Sequence, residues 1–154
     1  MKKYLVAMAL AAVALAQPAV AITFPSLTTI YVASGVYDDG SADSAGFATA
    51  VHCSNVSGQS AQVRYLFLSS AGQISGNHTL TIPHGGTRTV ATHGTNFGGT
   101  ALDIPSAIIQ GVLNVESTQS GVFCSAMIVE AVVGRVYGIP LHMVRINPHP
   151  GAGE

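Results

Sequence analysis

Histidine is the reactive residue type that stands out in this 154-residue chain, because its six histidines equal its lysines and arginines combined. Neutral imidazole is the commonest protein ligand for zinc and copper, so histidines that a fold brings together can hold either metal. None of the six are spaced H-x-H or H-x-x-x-H, the patterns that place two ring nitrogens on one side of one element. The candidate metal ligands are therefore dispersed along the chain: His52, His84, His93, His142, Met143 and His149.

These candidates also have ordinary structural explanations. His52 adjoins Cys53, so the two side chains point to opposite faces of a strand, and an outward histidine is usually solvated. His84 belongs to the turn Pro83-His84-Gly85-Gly86. Met143 can equally fill an apolar gap. We therefore expect no bound cofactor, with a copper or zinc site as the alternative.

An acidic stretch offers a second kind of site. Asp38, Asp39 and Asp43, together with Gly40 and Ser41, provide the oxygen ligands and the tight turn that a calcium loop needs. The stretch lacks the regular ligand alternation and the closing bidentate glutamate of an EF-hand. A solvated loop is the expected structure and calcium the alternative.

Catalytic motifs are missing from the sequence. No G-x-S-x-G nucleophile elbow occurs, and no glycine-rich loop opens a helix to cradle a phosphate. We therefore expect a protein that is not an enzyme.

The first 21 residues have the pattern of a bacterial secretory signal. Lys2 and Lys3 give a positive start, an apolar run extends from Leu5 to Ala16, and a small-x-small pattern ends at Ala21. The run is too short to span a bilayer, which takes roughly 20 residues. We expect cleavage after Ala21, no integral membrane anchor in the product, and a periplasmic or extracellular location.

The charges that remain after residue 21 exclude two classes of partner. Four arginines stand against seven acids there, a net charge of −3, and no lysine is present. A basic stripe for nucleic-acid phosphates or anionic membranes cannot be built from this set. Few charges also leave sheet edges unprotected against pairing with other chains, so the expected partner is another protein or a second copy.

The two cysteines, Cys53 and Cys124, predict a disulfide. They form an even pair in an exported chain, and neither belongs to a C-x-x-C motif. Closing a loop of this length stabilises a fold by about 4 kcal/mol on the chain-entropy model. A redox-active or metal-binding thiol pair is the alternative.

The elements that position these residues are predicted to be strands. Short runs rich in Val, Ile, Thr, Tyr and Phe alternate with turn residues, and no helical period exceeds one turn. The predicted strands are residues 29–37, 46–54, 61–67, 73–82, 87–92, 107–116 and 122–133.

Seven or eight such strands predict an all-β fold, a two-layer antiparallel sandwich. Residue alternation turns both cysteines toward the layer between the sheets, so we expect an inter-sheet disulfide. The domain is predicted to cover residues 22–137. Residues 138–154 form a C-terminal extension that could add a strand to its own domain or to a neighbour's, followed by a flexible tail.

The turn residues and the alternation between Cys53 and Val129 resemble those of bacterial exported immunoglobulin-like or fibronectin-like β-sandwich domains. The residues that carry the resemblance are Asn55, Gly58, Ala61, Val63, Gly72, Ile82, Pro83, Gly85, Val115 and Ser117. The resemblance implies an immunoglobulin-like fold and a role as an accessory, adhesive or assembly module. We expect a non-catalytic exported subunit that acts through protein contacts, with a periplasmic copper- or zinc-binding protein as the alternative.

Overall fold

The computed structural model describes residues 26–96, 99–132 and 137–146. The predicted signal segment and His149 lie outside these residues. Within the described part no helix is long and apolar enough to cross a membrane. The strands are β1 (Thr28–Asp38), β2 (Phe47–Asn55), β3 (Ala61–Leu68), β4 (Ile74–Ile82), β5 (Thr87–Ala91), β6 (Thr100–Ala101), β7 (Ile108–Ser117), β8 (Val122–Glu130), β9 (Gly138–Leu141) and β10 (Met143–Arg145).

The strands form two five-stranded sheets. The first sheet has the order β10-β1-β7-β3-β4, and the second has the order β6-β5-β2-β8-β9. Every neighbouring pair is antiparallel except β5 and β6. The predicted all-β, two-layer antiparallel fold is therefore confirmed.

Hydrophobic alternation explains why the long strands were predictable. In β3, Ala61, Val63, Tyr65 and Phe67 are fully buried, whereas the residues between them are half-buried on the other face. All seven predicted strands are present, and most of their ends agree to within one residue. The expected count of seven or eight was too low, because β6 has only two residues and the C-terminal extension, which was expected to add one strand, forms the two short strands β9 and β10.

One hydrophobic core fills the space between the sheets. Its largest fully buried side chains come from both sheets: Ile30, Val36, Val51, Val63, Tyr65, Phe67, Ile82, Val90, Ile108, Leu113, Val115 and Val122. Burial of this apolar surface supplies the main driving force for folding.

The disulfide forms between Cys53 and Cys124, but the prediction that it joins the two sheets was wrong. Cys53 lies on β2 and Cys124 lies directly opposite on β8, its neighbour in the second sheet. Their Cα atoms are 4.1 Å apart, a separation typical of a non-hydrogen-bonded pair in an antiparallel ladder. The alternation of residues correctly predicted that both side chains face the core. It does not indicate whether the two strands are neighbours in one sheet or lie in opposite sheets.

The C-terminal segment changes sheets. Gly138–Leu141 pairs with β8 at the edge of the second sheet, and Met143–Arg145 pairs with β1 at the edge of the first. His142, between them, is exposed. The segment therefore pairs with its own domain, one of the two possibilities left by the sequence, and closes one side of the sandwich.

Arg145 fixes this closure by contacting both sheets. Its guanidinium lies 5.2 Å from the centre of the Tyr31 ring and 4.9 Å from that of the Phe123 ring. It also donates to the Tyr31 hydroxyl over 2.6 Å and to the backbone carbonyls of Val122 and Ser120. One side chain thus joins β10 and β1 to β8.

Candidate functional site

The candidate site lies where two loops meet at one end of the sandwich. One loop joins β1 to β2, and the other follows β5. The Ser44 N–H donates to the Gly94 carbonyl over 2.9 Å, and the Gly94 N–H donates to the Asp43 carboxylate. The two loops are therefore docked on each other, although β1 and β5 belong to different sheets.

Asp38 and Asp39 shape the first loop by accepting hydrogen bonds from its backbone. Asp38 Oδ1 accepts from the Gly40 N–H over 2.8 Å. Asp39 accepts from the Ser41 N–H through Oδ1 and from the Phe47 N–H through Oδ2, both over 3.0 Å. Aspartates that bond the backbone two residues ahead are typical of tight turns.

Gly46 provides the space that this arrangement needs. Its φ is 63°, in the left-handed region that glycine adopts without strain. A Cβ at this position would collide with the Asp39 carboxylate and the Ser41 hydroxyl. The carboxylate can therefore reach the start of β2 only because residue 46 has no side chain.

His93 reaches the same place from the second loop. Its Nδ1 lies 2.9 Å from Asp38 Oδ2, and its Nε2 lies 3.0 Å from the Ala45 carbonyl oxygen. The His93 side chain is 5% exposed and the Asp38 side chain 1%. The two groups form a buried pair in which each polar atom of the imidazole has a partner.

The hydrogen bonds of His93 define what the ring can do. A carbonyl oxygen only accepts, so Nε2 must carry a proton and donate to Ala45. A proton also lies between Nδ1 and the Asp38 carboxylate, because two lone pairs cannot face each other at 2.9 Å. Neither ring nitrogen has a lone pair left for a metal in this arrangement.

The surroundings of the Asp39 carboxylate shift its pKa. Partial burial alone would raise its pKa, because burial disfavours the charged form. Hydrogen bonds from the Ser41 N–H, the Ser41 hydroxyl and the Phe47 N–H outweigh this effect, and the charge of His93 acts in the same direction. The pKa of Asp39 is therefore below its ordinary value, and the carboxylate is ionised at neutral pH.

Two buried threonines that the sequence analysis missed complete the polar end of the sandwich. The Thr49 hydroxyl donates to the Tyr37 carbonyl over 2.8 Å and accepts from the Tyr37 N–H over 3.0 Å. The Thr92 hydroxyl accepts from the Thr49 N–H over 3.0 Å. Thr49 shares the core-facing side of β2 with Val51 and Cys53, so an inward polar residue in an otherwise apolar alternation was the signal that could have found it.

Asp38, Asp39 and His93 also form the one potential metal cluster that the described ranges contain, since their ligand atoms lie within 4.8 Å of one another. The sequence assigned these residues to two separate hypotheses, calcium for the aspartates and copper or zinc for the histidine. The structure brings them together. As arranged, they satisfy one another and the surrounding backbone, as in a structural ion pair.

The remaining predicted ligands do not join this cluster. His52 Nδ1 lies 2.7 Å from the Thr89 hydroxyl, and His84 Nδ1 accepts from the Gly58 N–H over 3.1 Å. His142 is exposed, whereas Met143 is half-buried against the core. Asp43 of the predicted calcium set bonds Gly94 and lies outside the group of three.

A buried hydroxyl lies deeper in the core. Tyr65 is fully buried on β3, and its hydroxyl has no hydrogen-bond partner among the described residues. Desolvation by burial raises the pKa of this phenol well above its ordinary value of 10.0. The group is a neutral, unsatisfied donor inside an apolar layer.

Two open hollows flank the turn between β7 and β8. One is lined by Gln59, Ser60, Ala61, Gln62, Thr81, Thr118 and Gln119, and the other by Thr28, Ile30, Ser117, Thr118, Gln119 and Ser120. Their linings offer hydroxyl and amide groups and no ionisable side chain. Neither hollow therefore presents a general acid or base to a substrate.

No known protein-family model, curated protein or solved structure matches this chain. The function must therefore be argued from the geometry of its own residues.

Proposed function

We propose that this chain is a non-catalytic, exported β-sandwich that acts through contacts with other protein chains, as a structural, accessory or self-assembling subunit in the periplasm or at the cell surface. The surface that makes the contact is the outer edge of β4. The proposal is supported by the contrast between this edge and the three other sheet edges.

The outer edge of β4 is long and uncharged. β4 has nine residues, none of them Asp, Glu, Lys, Arg or Pro, and it pairs with β3 alone among the described strands. A strand in this position presents a row of backbone N–H and C=O groups that can pair with another chain. Peptide recognition by strand addition uses such an edge.

The other three edges have features that limit strand addition. β6 has two residues and β10 has three. β9 has four residues, one of which is Pro140 and cannot donate a backbone hydrogen bond. Natural proteins commonly protect their edges by short strands and prolines, and β4 has neither.

Export is the second part of the proposal. A disulfide between Cys53 and Cys124 is consistent with an oxidising compartment, where such bonds persist. Cleavage after Ala21, the periplasmic or extracellular location and the relationship to immunoglobulin-like exported domains stay predictions from the sequence. Amino-terminal sequencing of the protein from its own host tests the cleavage site directly.

Photo-cross-linking in the native host tests the contact surface. A photoreactive residue replaces exposed Thr79 on β4, and a control variant carries it at Ser34, which is also exposed but lies on β1, an interior strand of the first sheet. We expect protein adducts from position 79 and far fewer from position 34. Equal yields, or no protein adduct from position 79, would reject the proposal.

The alternative function, copper or zinc binding, is tested by element analysis of the protein purified from its own host. The described residues offer one three-residue ligand group, Asp38, Asp39 and His93, and both nitrogens of its histidine are already bonded. We therefore expect element analysis to find less than stoichiometric copper or zinc after dialysis. A stoichiometric metal that is lost on His93→Gln would favour the alternative instead.

A further inference from the structure

We propose that the partner of the β4 edge is a second copy of this chain, and that two β4 strands pair antiparallel across a two-fold axis at Thr79. This inference rests on the function proposed above and names the partner of that surface. The result is one continuous ten-stranded sheet made from two copies of the first sheet.

The register follows from the regular part of β4. Residues Gly76 to Ile82 pair with β3 without interruption, and the pairing shifts only between Gly76 and Ile74. Pro83 follows the strand directly and has no N–H to extend it. Seven residues are therefore available for pairing, and Thr79 is the central one.

Symmetry makes this register suitable for backbone pairing. Along an edge strand, every second residue directs its backbone N–H and C=O groups outward, away from the sheet. When the two-fold axis passes through a residue, opposing residues are an even number of positions apart in the sequence. Each residue with outward backbone groups therefore lies opposite another such residue, and the two can hydrogen-bond. An axis at Thr79 uses all seven residues, whereas an axis at any other residue uses fewer.

The side chains on the exposed face are complementary in this register. Asn77 lies opposite Thr81 of the second copy, and Thr79 lies opposite its own copy. All three side chains are exposed on this face, and hydroxyl and amide groups can hydrogen-bond across neighbouring strands. Three polar pairs thus form one row across the interface.

The core-facing side of β4 also accepts a second copy. Gly76 lies opposite Ile82 of the second copy. Ile82 is fully buried in its own core, and the space beside Gly76 is filled by Ile104 of the same chain, so neither position places a side chain between the two copies. His78 lies opposite Leu80, so no ionisable group faces its own copy. Since β4 has no charged residue, the two strands approach without like-charge repulsion.

A single pair of strands buries less area than a standard protein interface. We therefore expect a weak dimer, measurable by sedimentation at roughly micromolar or higher concentrations of the mature protein.

Two variants with the same added charges test the register. In Asn77→Lys/Thr81→Glu, each new lysine faces a new glutamate across the axis. In Asn77→Lys/Thr79→Glu, two glutamates face each other at the axis, and the lysines face threonines. Both variants have unchanged net charge and alter exposed positions only.

We expect the first variant to dimerise at least as tightly as the unmodified protein, and the second to dimerise about tenfold more weakly than the first, because each cross-strand charge pair contributes modestly. Circular dichroism and melting temperature check that both variants are folded. Equal dimerisation of the two variants, or the reverse order, would overturn the two-fold register.

The outcomes separate this inference from the proposed function. A mature protein that stays monomeric at high concentration, yet forms adducts with a different protein from position 79, refutes the second copy as partner and leaves strand addition at β4 intact. A monomer that forms no adduct from position 79 refutes both.

Discussion

His93 and Asp38 form a buried pair in which Nδ1 of the imidazole lies 2.9 Å from a carboxylate oxygen, although 55 residues separate them in the sequence. The pair joins the end of β1 in one sheet to the loop that follows β5 in the other. It is therefore a tertiary link between the two layers at the polar end of the sandwich.

Removing one member of this pair should be costly. We expect Asp38→Asn or His93→Gln to lower the free energy of unfolding by about 3–5 kcal/mol, because each leaves a buried partner uncompensated. The double variant should lose clearly less than the sum of the two single losses. Urea denaturation measures all three, and His142→Gln, at an exposed histidine, serves as the control with little change. Strictly additive losses would show that the side chains are not coupled.

Asp39 should make the protein sensitive to acid. Its pKa is below the ordinary value in the folded state, so its contribution to stability is complete above the unfolded pKa of about 4 and is lost as the pH falls through the folded pKa. We expect Asp39→Asn to be less stable than the unmodified protein at pH 7, because one of its two acceptor oxygens is replaced by a donor. Melting temperatures between pH 2 and 6 should also fall less steeply for the variant. A parallel pair of curves would contradict this assignment.

The Tyr65 hydroxyl should be dispensable. Its removal in Tyr65→Phe eliminates an unsatisfied buried donor and leaves the packing of the ring unchanged, so we expect stability to be unchanged or to increase by about 1 kcal/mol. A loss above about 1 kcal/mol would show that the hydroxyl makes a stabilising bond.

The same tyrosine predicts the alkaline behaviour of the protein. Because burial raises the folded pKa of Tyr65, this phenol leaves the stability independent of pH below its unfolded pKa of about 10, and it makes the stability fall as the pH rises further. In an ultraviolet titration, one tyrosine should ionise only when the protein unfolds. That late step should be absent from Tyr65→Phe.

Arg145 should hold the C-terminal strands in place. We expect Arg145→Lys to lose about 1–3 kcal/mol of stability, because an ammonium group cannot stack on the Tyr31 and Phe123 rings and reach the carbonyls of β8 as the planar guanidinium does. Limited proteolysis should cut the variant earlier between β8 and the C-terminus. Arg88→Lys is the matched control, since Arg88 is exposed and donates a hydrogen bond to the carbonyl of adjacent Thr87. Equal protease resistance of the two variants would refute the role of Arg145.

The disulfide should stabilise the fold without being needed for strand pairing. Reduction should lower stability by up to about 4 kcal/mol, since the bond closes a loop of 71 residues in the unfolded chain. β2 and β8 are also joined by an antiparallel ladder along their full length, so we expect the reduced protein to keep its β-sheet circular dichroism at low temperature. A reduced protein with an unchanged melting temperature, or one that is unfolded at low temperature, would contradict this expectation.

Local sequence patterns determined the strands and the direction of their side chains. Alternation in β3 and the turn residues between the long strands were sufficient to place seven strands, and to turn Cys53 and Cys124 toward the core. These features depend on residues that are close in the sequence, because the two-residue period of a strand is a local property.

Tertiary structure alone decided which strands became neighbours. Cys53 and Cys124 face the core whether β2 and β8 lie side by side or in opposite sheets, and only the strand order distinguishes the two. For the same reason, residue spacing could not predict the contact between Asp38 and His93. It also could not predict that the C-terminal segment crosses from one sheet to the other at His142. Periodicity specifies which face of a strand is buried, whereas long-range packing selects the strand that covers it.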